Sequence, residues 1–161
     1  MTYTVGETLV YPQHGAALVE RTETRTVNGE DQAYLVLRVV AQNGLVVRVP
    51  VCKLDVVGVR EVVDEEGLQR VLEVLRAESS GEPSNWSRRH RVNTDKLRIG
   101  SAVKVAEVVR DLGRRRRAGH LSAAEEHTLT KAHRILASEL AHCRQAIADQ
   151  VQRHLSEVLA Y

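Results

Sequence analysis

Near position 59 the apolar residues of this chain stop alternating and begin to recur every three to four positions. A period of two lines one face of a strand and a period of 3.6 lines one side of a helix, so no single architecture satisfies both halves. Before the change the runs are short and β-branched: Thr8-Leu9-Val10-Tyr11, Ala17-Leu18-Val19-Glu20, Tyr34-Leu35-Val36-Leu37-Arg38-Val39 and Leu45-Val46-Val47-Arg48-Val49. Asn28-Gly29 and Asn43-Gly44 lie between such runs, and Asn-Gly is the favoured pair where both central residues of a hairpin turn need positive φ. These features predict four or five short strands in a small, strongly bent antiparallel sheet or half-barrel. Modules of that kind bind partners more often than they catalyse. Gly6, Gly15 and Gly58 read as turn or bulge positions. If both Asn-Gly loops are two-residue turns, Arg25 shares a face with Arg38 and Val47 and leaves Arg48 on the other, unless a bulge or an edge-on contact intervenes.

Beyond the change, Leu68, Val71, Leu72 and Leu75 form one helical stripe, and Val105, Val108, Val109 and Leu112 another. Ser122-Ala123-Ala124-Glu125 is a capping box that opens a helix carrying Leu129, Ala132, Leu136 and Leu140. Ile147, Val151, Leu155 and Leu159 mark a last helix, and a short one is predicted over 85–98. The expected fold class is therefore α+β: a small antiparallel β domain over residues 1–60, then a compact all-α bundle of about five helices over 61–161. The acidic segment 78–83, with its Ser, Gly and Pro, reads as a loop inside the helical part. With no Phe and only 3% aromatic residues, both cores must be built from Val, Leu and Ala.

The net charge of +2 hides a segmented distribution. Residues 1–60 are balanced, and residues 61–85 carry two Arg against seven acids. Residues 86–117 carry eleven Lys and Arg against three acids, ending in Arg114-Arg115-Arg116-Arg117. Such a block reads either as a phosphate-binding surface or as a solvated helix face whose terminal arginines complement the helix dipole. The sole tryptophan, Trp86, opens the block, with Arg88, Arg89 and Arg91 following it. An indole in that setting either anchors a small core or stacks against nucleic-acid bases while its neighbours hold phosphates.

The seven histidines are scattered, with no HExxH and no Cys/His pairing at zinc spacing, and no GxGxxG, P-loop or nucleophile elbow occurs. We therefore expect no enzyme, no metal and no cofactor. Cys52 and Cys143, 91 positions apart, suit isolated thiols in a reducing compartment. The first residues lack a secretory pattern and no 18-residue apolar run exists, so a cytoplasmic chain without a membrane span is expected.

Taken in order, Val5-Gly6-Glu7-Thr8-Leu9-Val10-Tyr11-Pro12-Gln13-His14-Gly15, Tyr34-Leu35-Val36-Leu37, Arg48-Val49-Pro50, Val57-Gly58-Val59-Arg60, Asn85-Trp86-Ser87-Arg88-Arg89 and Lys104-Val105-Ala106-Glu107-Val108-Val109-Arg110-Asp111-Leu112 resemble the CarD/CdnL family over nearly the whole chain. The β part alone also resembles the polymerase-interacting domain of transcription-repair coupling factors. The resemblance implies a monomeric, non-enzymatic transcription regulator with no small-molecule substrate. Its Tudor-like N-terminal domain would dock on the lobe of the RNA polymerase β subunit. Its helical domain would meet promoter DNA at the upstream edge of the melted region, with little sequence specificity. By similarity, Arg25 and Arg48 contact the polymerase, Trp86 wedges into the minor groove, and Arg88, Arg89 and Arg91 hold phosphates. Two positions depart from the family pattern: Glu126 stands where a lysine often follows the capping box, and His90 where an aromatic residue follows the paired arginines.

Overall fold

The computed structural model describes residues 3–79 and 81–159. Ser80 of the predicted acidic loop, and the side chain of Leu159 at the end of the predicted last stripe, lie outside the described residues.

Five antiparallel strands form one sheet in the order β4-β3-β2-β1-β5: β1 (Thr8–Tyr11), β2 (Gly15–Val27), β3 (Glu30–Val39), β4 (Val46–Pro50) and β5 (Arg60–Glu61). A 3-10 turn (Val51–Lys53) and one-turn helix α1 (Leu54–Val57) connect β4 to β5. The helical part comprises α2 (Glu65–Arg76), α3 (Trp86–Ile99), α4 (Ala102–Ala118) and α5 (Ala123–Leu159). The α+β order expected from the change of period is the observed one.

Asn28-Gly29 makes the two-residue hairpin expected of it, with Val27 opposite Glu30. Asn43-Gly44 does not. Val39 donates to Leu45 across a wider loop in which Leu45 also donates back to Gln42, and Arg38 pairs with Val46. The extra loop length changes the parity of β4, so that Arg48 lies opposite Val36, which lies opposite Arg21. Arg25 is on the same face, two pleats along β2 from Arg21. The face assignment that follows from two strict turns is therefore corrected, and loop length rather than a bulge corrects it. The one register shift in β2, between Val19 and Arg21, turns Glu20 out of the ladder upstream of these positions.

Each helix from α2 to α5 starts on a side chain suited to its orphan N–H groups. Asp64, Asn85 and Ser101 accept from the backbone of Gly67, Arg88 and Lys104. Ser122 and Glu125 cap α5 reciprocally, Ser122 N donating to Glu125 Oε2 and Glu125 N to Ser122 Oγ, both at 3.2 Å. The expected break between Leu140 and Ile147 is absent, so two predicted helices are one helix of 37 residues. No Gly or Pro interrupts that stretch. From Arg144 to Glu157 every residue except Ile147 is exposed, including Val151 and Leu155, so this end of α5 stands outside the packed bundle.

Leu9, Ala17, Val19, Leu35, Leu37, Val49, Leu54 and Val59 form the core of the sheet. Val71, Val105, Val108, Leu112, Leu129 and Leu136 are among the residues forming that of the helices. Neither buried cluster contains an aromatic residue.

The two parts are joined by the β1–β2 turn and α5. Gly15 adopts φ +85°, and a Cβ there would approach Ser138 Oγ to 2.5 Å, so only glycine brings this turn against α5. Ala16 N donates to Ser138 Oγ at 3.1 Å. Arg60 of β5 forms two 2.7 Å bonds to the Glu139 carboxylate and donates to the Gly100 carbonyl, while Val63 N donates to the same carboxylate at 2.9 Å. The Glu139 side chain is 1% exposed.

Candidate nucleic-acid interface

Trp86 is the first residue of α3, and its indole is not in the core: the residue is 46% exposed. One edge is fixed, because Nε1–H donates to Ser122 Oγ at 2.8 Å. The His90 ring, one turn further along α3, lies parallel to the indole within 2°, with centroids 5.7 Å apart. His90 thus stacks with the indole from the position where an aromatic residue was expected, although its Nδ1 is buried without a hydrogen-bond partner among the described residues. The N-termini of α3 and α5 meet at this indole. The partial positive charge at the start of α3, which carries no acid in its first turn, favours an anion, whereas Glu125 and Glu126 already occupy the first turn of α5.

The three arginines near Trp86 divide into two kinds. Arg88 and Arg91 are exposed and have no ion pair among the described residues. Arg89 is 6% exposed, and its Nε donates to Glu125 Oε1 at 2.7 Å. The sequence expectation that Arg89 holds a phosphate is therefore corrected. Its position on the buried side of α3, in line with Asn93 and Leu97, turns it inward, where it ties α3 to the capping box of α5. Glu125 thus links Arg89 to Ser122, and Ser122 to the indole.

Burial alone would raise the Glu125 carboxyl. The Arg89 guanidinium and the N–H and hydroxyl of Ser122 outweigh burial and hold it below its ordinary 4.5. A carboxyl depressed in this way stabilises the fold above that ordinary value and loses its contribution as pH falls through the folded value. Urea unfolding followed by Trp86 emission should therefore show stability falling below pH 4.5, and falling more steeply than in Glu125→Gln.

Elsewhere in the basic block much of the charge is neutralised internally. Lys96 and Lys104 pair with Glu107, Arg110 with Asp111, and Arg115 with Glu82. Glu126 lies 3.6 Å from Arg116. Both are largely exposed, so this contact is weak, but it gives the acid a cationic neighbour on α4.

On the sheet, Arg25 and Arg48 are both exposed and converge on Glu23, each with Nε 3.4 Å from Oε2. Arg21 donates to the other oxygen at 2.7 Å. That hydrogen bond, followed by the charges of Arg21, Arg48 and Arg25, lowers the Glu23 carboxyl from its ordinary value. Gln32, Tyr34 and Pro50 share the face by register. Sequence reasoning missed Glu23 as the bridge and Ser122 as the partner of the indole. The capping box marked Ser122 as a helix start, but nothing in the spacing joined it to a side chain 36 positions away.

Among the described residues no helix is long and apolar enough to cross a membrane, and no cluster of His, Cys, Asp and Glu could hold a metal ion.

Residues 3–63 match the family profile described as the CarD-like/TRCF RID domain, and residues 70–156 the one described as the CarD C-terminal domain. The chain is also similar to YdeB of Bacillus subtilis (strain 168), a protein described as a candidate transcription factor. The two are 34% identical over 138 residues, covering 86% of this chain and 90% of that one. Among solved structures, the solution NMR structure of the 72-residue N-terminal domain of Myxococcus xanthus CarD is 32% identical, covering 37% of this chain and 79% of that one, with a TM-score of 0.32.

Proposed function

The chain belongs to the CarD family of RNA polymerase-associated transcription regulators, and on that premise we propose that it grips polymerase with one end and distorted promoter DNA with the other. Residues 1–60 dock on the lobe of the β subunit through the face of Arg25 and Arg48. Residues 61–161 bring Trp86 to the upstream edge of the melted region. The protein catalyses nothing; it acts as a monomer in the cytoplasm, by biasing the open promoter complex.

The observation that carries this reading is the half-exposed indole, pinned by Ser122 where two helix N-termini meet, on a helix whose exposed Arg88 and Arg91 have no ion pair among the described residues. A rigid, amphipathic plate in an anion-friendly setting can enter an opened base step without first being ordered itself. Unstacking a step costs a few kcal/mol, so an indole that binds the opened step but not regular duplex favours opening by its differential affinity. Arg88 and Arg91 add a salt-sensitive hold on phosphates that reads no bases. Two such contacts are few, so DNA binding by the free protein is weak, and tethering to polymerase supplies the effective concentration. Arg89 supports the wedge from within by holding Glu125.

The polymerase half is tested by co-purification. Charge reversal in Arg48→Glu places a second carboxylate beside Glu23, and we expect it to abolish recovery of the protein with RNA polymerase while leaving the fold intact, since Arg48 is a surface residue. Undiminished recovery would rule out docking through this face.

A further inference from the structure

α4 packs between α2 and α5, and one of its positions serves neither backbone nor packing. Gly113 has no positive φ, and a Cβ added there would meet no atom within 4 Å. Glycine in a helix interior costs about 1 kcal/mol relative to alanine. The structural consequence of that residue is an opening. Toward α5 lies a recess of about 380 Å³ between Val109 and Leu129, edged by Arg116, Arg117 and His133. Toward Leu75 of α2 lies a second, of about 250 Å³, which shares Val109, Gly113 and Arg117 with the first. The two recesses meet along the Val109, Gly113 and Arg117 line of α4.

The rim is cationic and incompletely satisfied. Arg117 is exposed with no ion pair among the described residues. Among the described residues Arg116 has only the distant Glu126 carboxylate, and Arg114 donates to the Leu75 carbonyl at 3.4 Å. In the first recess two guanidiniums, Arg116 and Arg117, thus stand over the apolar Val109 and Leu129 with one carboxylate near them. Such a floor suits a flat ring better than a bare inorganic ion, and the rim suits phosphate oxygens, which guanidinium meets in bidentate fashion. The recess is short and walled by α2 and α5, unlike the continuous track that a duplex backbone needs. We propose that the Gly113 groove binds a nucleoside polyphosphate, with the ring over Val109 and Leu129 beside His133 and the phosphates on Arg116 and Arg117.

The test is equilibrium dialysis of the full chain against ATP and GTP, with inorganic pyrophosphate and a short DNA duplex as separate arms. Saturable one-to-one binding of a nucleoside triphosphate is expected, with pyrophosphate weaker by about tenfold. Gly113→Leu fills the groove without removing charge, and its better helix propensity should raise thermal stability, so its folding is checked directly by melting. It should weaken nucleotide binding about tenfold and leave pyrophosphate binding unchanged. Arg117→Gln should weaken both. Absence of saturable nucleotide binding, wild-type affinity in Gly113→Leu, pyrophosphate binding as tight as the nucleotides, or binding of the duplex alone would each overturn the proposal.

Discussion

Glu139→Ala should lower the stability of this protein by about 3–5 kcal/mol, the usual cost of removing one partner of a buried ion pair. The Glu139 carboxylate receives two 2.7 Å bonds from Arg60 and one from Val63 N. Alanine leaves that N–H and a partly buried guanidinium without their acceptor, at the place where β5 meets α5. Total stabilities of single domains are about 5–15 kcal/mol, so the urea midpoint should fall by a large fraction. The interaction is not an efficient source of net stability, because two charges are desolvated to make it. Arg60→Met/Glu139→Leu should therefore recover most of the loss. A single variant within about 0.5 kcal/mol of wild type, the ordinary range for a surface site, would show that the joint is held by apolar packing alone.

Arg89→Ala should cost a similar amount, about 3–5 kcal/mol, and should also disturb the indole. The Glu125 carboxylate is 2% exposed and takes its strongest bond from Arg89 Nε at 2.7 Å. Without that cation the carboxylate is buried beside the capping box alone, the start of α5 loosens, and the Ser122 hydroxyl no longer has a fixed position. Unfolding followed by circular dichroism gives the energy, and a red-shifted Trp86 emission at neutral pH reports the loosened seat. Arg88→Ala is the control. Arg88 is exposed and without an ion pair among the described residues, so its loss should stay within about 0.5 kcal/mol. Equal effects at the two positions would contradict the division between an arginine that builds the site and one that faces outward.

Hydrophobic period made the two-part architecture legible, because each half keeps its own period and the caps at Asp64, Asn85, Ser101 and Ser122 agree with it. Loop parity was not legible. Asn43-Gly44 carries the chemistry of a tight hairpin, yet the chain around it closes a wider loop, and that difference alone moves Arg48 to the face of Arg25. The unbroken course of α5 could have been read from the absence of Gly or Pro between Leu140 and Ile147. Arg89 looks equivalent to Arg88 in a basic run. Only the helical phase that aligns it with Asn93 and Leu97 separates them, and that signal was present in the sequence. The pairs Arg60 with Glu139 and Trp86 with Ser122 join residues 79 and 36 positions apart, and no local pattern encodes either.

The lifetime of competitor-challenged open promoter complexes, measured with wild-type protein and with Trp86→Ala, tests the wedge most directly. Base stacking on an aromatic side chain is worth about 1–3 kcal/mol by alanine substitution, so wild-type protein should lengthen that lifetime by about tenfold where Trp86→Ala, still bound to polymerase, leaves it close to that of polymerase alone. If Trp86→Ala shifts the lifetime as far as wild type does, the indole is not the group that reads the distorted DNA.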